Sequence, residues 1–278
     1  MDKLSRILGQ FTVSAGVFYS GQLCGLSSFD NPKSQTGHIH LLKQGCLEVT
    51  ELGQPSQILK GPALLFYPRP MAHQIKAEDA DNTEIVCASV LYGAGPDNPL
   101  ASSLPSIVSV PLEGRNDRLG CAVEWLFEEA FSEHSARQVV MDRLCEILII
   151  QLLRGVMEAG EVDGGMLAGL SHPQISRAID VIHNAPKKNW SLQELAEVAA
   201  MSRSRFAELF RETVGQTPGD YLTSWRIELA KALLKNDKPV GWVANEVGYD
   251  TASALARVFR KKNGVSPREW LSNIQENE

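Results

Sequence analysis

The residues best equipped for chemistry are three histidines, a set of thiols, and the polar side chains that open two helices near the carboxyl end. His38 and His40 are two apart in Gly37-His38-Ile39-His40, so on a strand both imidazoles leave from one face. With His73 they form a credible ligand set for a divalent metal such as Zn²⁺. The same rings can instead hydrogen-bond or contact a ligand in a metal-free domain. Five cysteines (Cys24, Cys46, Cys87, Cys121 and Cys145) are an odd number, widely spaced, in a chain too long to depend on disulfides. A free thiol is either a redox centre, passing through thiolate and sulfenic acid, or a small buried hydrophobe. Cys121 and Cys145 lie among apolar residues of helical period and read as core, whereas Cys46 fits either use.

The elements that must position these groups divide the 278 residues into about two domains' worth of chain. To about residue 111, short apolar runs such as Ala63-Leu64-Leu65-Phe66-Tyr67 and Glu84 to Leu91 alternate with turn residues, the pattern of an all-β sandwich or barrel. Helical period follows at Leu119, Val123, Leu126 and Ala130, then at Val140, Leu144, Ile147, Leu148 and Leu152. Ile147-Leu148-Ile149-Ile150 is apolar all round, so that helix needs partners on two sides, the barrel and a second subunit being the candidates. Glu158 to Gly169, rich in glycine, reads as a linker. The expected organisation is α+β: a sensor-type barrel over 1–111, helices and linker over 112–170, and an all-α domain over 171–278.

No run approaches the roughly 18 apolar residues of a membrane span, so a cytoplasmic chain without a membrane partner is expected. The net charge of −6 excludes a protein that coats nucleic acid without regard to sequence. That total hides a division: residues 1–171 carry −8 and residues 172–278 carry +2.

Within the second part a design repeats. Ser191 with Glu194 makes a capping box, Leu195, Ala196 and Val198 form a buried face, and Ser202 caps a second helix holding Phe206, Leu209 and Phe210. Pro239 to Gly264 repeats this, with Val243, Ala244 and Val247, then Leu255, Val258 and Phe259. Two short helices joined by a tight turn are a helix-turn-helix, so two are expected, over 191–213 and 239–263, with second helices opening 49 residues apart at Ser202 and Thr251.

These features, with Met201-Ser202, Leu209-Phe210-Arg211, Gly215-Gln216-Thr217-Pro218, Arg226, Glu246-Val247-Gly248-Tyr249 and Gly264-Val265-Ser266-Pro267, resemble the AraC/XylS family of bacterial transcription regulators. Leu271 departs from the pattern, where arginine often follows an aromatic residue. The resemblance implies a sequence-specific regulator that reads successive major-groove faces of double-stranded DNA about 34 Å apart, works with RNA polymerase, and is a homodimer. It assigns base contacts to Ser204, Arg205, Ala207 and Glu208 in the first motif and to Ala252, Ser253 and Arg257 in the second. Arginine can take guanine bidentately and Glu208 can accept from cytosine. Arg203, Arg211, Arg260, Lys261 and Lys262 are implied as phosphate contacts.

Gly37 to Gly45 and Gly61 to His73 resemble the two cupin motifs, which implies a cupin-like barrel that binds an effector. The glutamate that metal cupins often carry after the second histidine is missing; Gln44 or Gly45 stands there. The placing of Cys24 before Gly25, with Cys87 in a later strand, is similar to a subgroup that answers reactive chlorine and related oxidants. It implies that Cys24 and Cys87 form a redox pair, with protonated His38, His40 or His73 lowering a thiol's pKa. A second reading makes the barrel a metal-dependent cupin enzyme with an accessory DNA-binding domain.

Overall fold

The computed structural model describes residues 2–31, 34–93, 95, 98–159 and 164–275. Helix α1 (Lys3–Gln10) is followed by strands β1 (Val13–Gln22), β2 (Gly25–Phe29), β3 (Gly37–Gln44), β4 (Cys46–Glu51), β5 (Gln57–Lys60), β6 (Ala63–Tyr67), β7 (His73–Ala77) and β8 (Glu84–Tyr92). Then come α2 (Pro99–Ser102), β9 (Val108–Pro111), α3 (Arg118–Ala130) and α4 (Arg137–Ala159). The remainder is helical: α5 (Gly165–Ser171), α6 (Ile175–Asn184), α7 (Leu192–Val198), α8 (Arg203–Val214), α9 (Pro218–Lys235), α10 (Val240–Glu246), α11 (Ala252–Asn263) and α12 (Pro267–Gln275). The chain forms two compact units, one of residues 13–97 and 104–161, the other of residues 1–12, 98–103 and 162–278.

The first unit carries two antiparallel sheets, ordered β1-β8-β3-β6-β9 and β2-β7-β4-β5. Among the described residues no ladder joins one sheet to the other, so the expected barrel is instead an open two-sheet sandwich. Leu42, Leu47, Val49, Leu65, Ile75 and Ile85 fill the space between the sheets. Edge strand β1 bulges between Val17 and Tyr19, and α4 covers it there. Asp142 accepts from the Val17 amide at 2.8 Å, while Gln138 Nε2 donates to the Val17 carbonyl at 2.7 Å. Backbone groups that would otherwise template another strand are thus used within the unit. Of the all-apolar run in α4, Leu148 and Ile149 are buried, whereas Ile147 is 43% exposed. Cys145 is buried, but Cys121 is exposed on α3 and is not the core residue its apolar neighbours suggested.

The second unit gathers three stretches of chain. α1 buries Leu4 and Ile7, Arg6 pairs with Asp180 at 2.6 Å, and Phe11 meets Trp225 edge-on at 5.2 Å. Ser103 Oγ accepts from the Met166 amide at 2.9 Å. Residues 1–12 and 98–103, assigned by sequence to the sensor, therefore pack with the helices. The expected linker is also partly structure: residues 160–163 lie outside the described residues, but Gly165–Ser171 is helix α5 with Met166, Leu167 and Leu170 buried. A Cβ on Gly169 would run into the Ile179 side chain, so this glycine serves close helix packing rather than chain freedom.

Candidate nucleic-acid interface and sensor site

Each helix-turn-helix is built by local signals acting together. The Ser191–Glu194 capping box opens α7, Ser202 caps α8 and Thr251 caps α11. Phe206 and Phe210 of the first motif and Leu255 and Phe259 of the second are fully buried, which fixes the opposite face of each second helix outward. Arg203, Ser204, Arg205, Glu208, Ala252, Ser253, Arg257 and Lys261 are all exposed at or along that outward face. Arg203, Arg211, Arg257 and Lys261 have no ion-pair or hydrogen-bond partner among the described residues. Arg205 Nη1 instead meets Glu208 Oε2 at 2.9 Å, Arg260 meets Glu269 at 3.3 Å, and Lys262 reaches Ser224 Oγ at 3.2 Å.

Arg226 has a structural task that its place in the sequence pattern did not disclose. From α9 its Nε donates to the Pro186 carbonyl at 2.7 Å, and Nη2 donates to the carbonyls of Lys187 and Lys188 and to Asn189 Oδ1 at 3.1–3.2 Å. The Tyr249 ring lies 5.6 Å from the guanidinium. One buried cation thus ties the loop before the first motif to the turn of the second.

In the sheet unit, His38 and His40 of β3, His73 of β7 and Cys87 of β8 come together. His73 Nδ1 lies 2.8 Å from the Met71 carbonyl, His40 Nε2 lies 2.8 Å from His73 Nε2, and His40 Nδ1 lies 3.2 Å from Cys87 Sγ. A carbonyl only accepts, so His73 Nδ1 carries a proton and, with the ring neutral, its Nε2 accepts from His40. His40 Nδ1 is then bare and accepts from the Cys87 thiol. Phe29 stacks on one face of His73 at 4.8 Å and Tyr67 on it at 4.0 Å, completing an aromatic setting that spacing alone did not reveal.

Burial decides the protonation states. Desolvation pushes His38 down to about 4, holds His40 well below its usual range and lowers His73, while it pushes the Cys87 thiol up to about 12. The expected cationic imidazoles beside a thiolate are therefore replaced at neutral pH by neutral rings and a neutral thiol. Cys24 is exposed, and its hydrogen bond to the Asp79 carboxylate raises its pKa. Three residues, roughly 10 Å of strand, separate Cys87 from Glu84, the partner of Gln22, and Cys24 lies beyond that end. Both thiols are free in this structure, Cys24 exposed and Cys87 buried, and a disulfide between them needs Cα atoms within about 7 Å.

As a metal cradle the histidine set does not fit in this arrangement. His40 and His73 each use both ring nitrogens in the hydrogen-bonded chain, and among the described residues no group of three or more His, Cys, Asp and Glu is placed to hold an ion. His38 differs: its Nδ1 is buried without a hydrogen-bond partner. The residue lines a cavity of about 720 Å³ with Phe29, Thr36, Leu52 and Met71.

Comparison with known proteins finds two domain families in the chain. Residues 2–158 match the Cupin family and residues 195–273 match a Helix-turn-helix domain. The chain is 33% identical over 70% of its length to an AraC-like transcription regulator of Streptomyces antibioticus, of which the match spans 65%. It is 25% identical to the HTH-type transcriptional regulator AlkR of Acinetobacter baylyi, over 97% of this chain and 99% of that one. It is also 25% identical to the RCS-specific HTH-type transcriptional activator RclR of Escherichia coli, over 85% and 84%. ToxT from Vibrio cholerae superposes over 94% of this chain and 97% of its own, with a TM-score of 0.42 and 13% identity. The chain belongs to the AraC/XylS family of DNA-binding transcription regulators, with a cupin domain ahead of its helix-turn-helix domain.

Proposed function

We propose that this regulator controls transcription in response to a small effector bound over His38, and that α4 passes the change on from the sheet unit. The observation that carries the reading is His38, which lines a cavity large enough for a metabolite and whose Nδ1 has no hydrogen-bond partner among the described residues. Buried polar groups are nearly always hydrogen-bonded, so a small turn of this ring toward the cavity would give the orphaned nitrogen a ligand partner. Coupling runs through contacts already described: His40 and Cys87 face each other across β3 and β8, Tyr19 of β1 pairs with Cys87, and α4 grips the bulge beside Tyr19. Such a change need only shift the population of DNA-competent chains. The protein is read as a cytoplasmic homodimer acting with RNA polymerase, the exposed Val139 and Ile147 of α4 offering apolar surface to a second copy.

An oxidant is the second reading, supported by the full exposure of Cys24 and by the likeness to an activator named RCS-specific. Hypochlorous acid would convert the Cys24 thiol to sulfenic acid with release of chloride and a proton. The Cys87 thiol would displace water from it to form a disulfide, after β2 and β8 had moved. Intact mass and thiol counting before and after one equivalent of hypochlorous acid separate the two. Loss of two thiols as a Cys24 to Cys87 bond, together with a change in DNA affinity, favours the oxidant. Retained thiols, with a copurified or titrated small molecule whose binding is lost in His38→Phe, favour the effector. A stoichiometric metal lost in His38→Ala, His40→Ala and His73→Ala would instead favour a metal sensor.

A further inference from the structure

A second cavity, of about 650 Å³, lies between edge strand β9, the start of α3 and the carboxyl-terminal half of α4, and shares no lining residue with the cavity over His38. Two features of its wall ask for an explanation. Arg118 and Arg154 both line it, and neither has a hydrogen-bond or ion-pair partner among the described residues; Arg115, also in the wall, is paired with Asp117 at 2.7 Å. Gly155 sits inside the 23-residue helix α4, where glycine is a poorer helix former than alanine. A Cβ built there would meet nothing within 4 Å, so no packing within the protein requires it. The glycine opens the cavity wall instead.

The uncharged part of the lining is mostly apolar, with Val108, Val110, Leu119 and Leu152, and includes the polar side chains of Ser109 and Gln151. Asp117 and Glu158 are the acidic groups there. Three arginines against two carboxylates leave one positive charge, held on guanidinium groups whose planar donor forks match a carboxylate. The geometry points to a binding site for an organic monocarboxylate with an apolar body, its carboxylate held by Arg118 and Arg154 and its body laid along the β9 and α4 side chains in the space left by Gly155. The site stands independently of whatever occupies the cavity over His38. A ligand wedged between β9 and α4 would act on the same helix that grips the β1 bulge.

The test is calorimetric titration of the full chain with octanoate, octanol and inorganic phosphate. Octanoate is expected to bind saturably at one site per chain, with octanol and phosphate at least tenfold weaker. Arg118→Gln with Arg154→Gln should weaken octanoate at least tenfold, and Gly155→Leu, which fills the space, should do the same while leaving the melting temperature unchanged or higher. His38→Phe should leave this binding intact. Absence of saturable octanoate binding, or binding unmoved by both sets of substitutions, would overturn the assignment. Equal affinity for octanol would reduce the site to an apolar groove, and equal affinity for phosphate to a plain anion site, and either result also overturns it.

Discussion

In the free chain the Arg205 guanidinium is spent on Glu208, one turn along α8, with both side chains more than half exposed. A pair this exposed stabilises the fold little, so it can part when a guanine presents its O6 and N7. Arg205→Ala should cost about 1 to 3 kcal/mol at one base pair and relax the preference there, read by binding to a set of single-base operator variants. Lys261→Ala should weaken all sequences alike and lower the slope of log affinity against log salt by about one. The reverse pattern would exchange the roles of the two residues. His183 tests a different residue-scale statement. It is buried against Trp225, ring centroids 3.5 Å apart, bonded to Tyr221 at 2.7 Å, and pushed down to about 3 by burial and then by Arg6. Between its ordinary value near 6.5 and about 3 only the unfolded chain takes up the proton, so stability falls as pH drops through that window and is unaffected above it. At pH 5 the loss is about 2 kcal/mol. Thermal unfolding at pH 7 and pH 5 should show that drop shrinking in His183→Gln; an equal drop in both proteins would remove His183 as its source.

The turn between α10 and α11 is an element whose geometry one residue sets. Gly248 has φ +88°, and a Cβ there would lie 2.8 Å from the Lys187 Cα and 2.9 Å from the Arg226 guanidinium. Gly248→Ala should therefore lower stability by more than the 1 to 2 kcal/mol of left-handed strain alone, measurable by denaturant unfolding, and it should displace the Arg226 clamp. A change of a few tenths would show that the turn relaxes freely. Much at this scale was legible beforehand. Ser191, Ser202 and Thr251 announced helix starts because capping is a local interaction, written within three residues. The pairing of His38 with His40 on one face was legible for the same reason. What failed was not local. Whether two sheets close into a barrel depends on edge strands distant in sequence. The glycines of 164–169 read as slack because the side chain that Gly169 admits, Ile179, comes from another helix. α1 escaped notice although Asp2 caps it and Leu4 and Ile7 form its buried face, since a single turn or two gives little periodicity to read.

For the molecule as a whole, what the sequence could not disclose is how chain order maps to compact units. Residues 1–12 and 98–103 are bound into the helical unit by Arg6, Phe11 and Ser103. The helical unit is therefore built from three separate stretches of chain. The sensor chemistry was likewise half legible: the three histidines do converge, but burial and mutual hydrogen bonding make them neutral, which no spacing rule discloses. The central claim is that two helix-turn-helix motifs in one chain read two major-groove faces. The most direct measurement is selection of bound sequences from random double-stranded DNA by the full chain, followed by footprinting of the winners. The account predicts a motif of two information-rich blocks about 10 base pairs apart, with Arg205→Ala erasing positions in one block and Arg257→Ala in the other. No enriched sequence, or a single block untouched by either substitution, would contradict it.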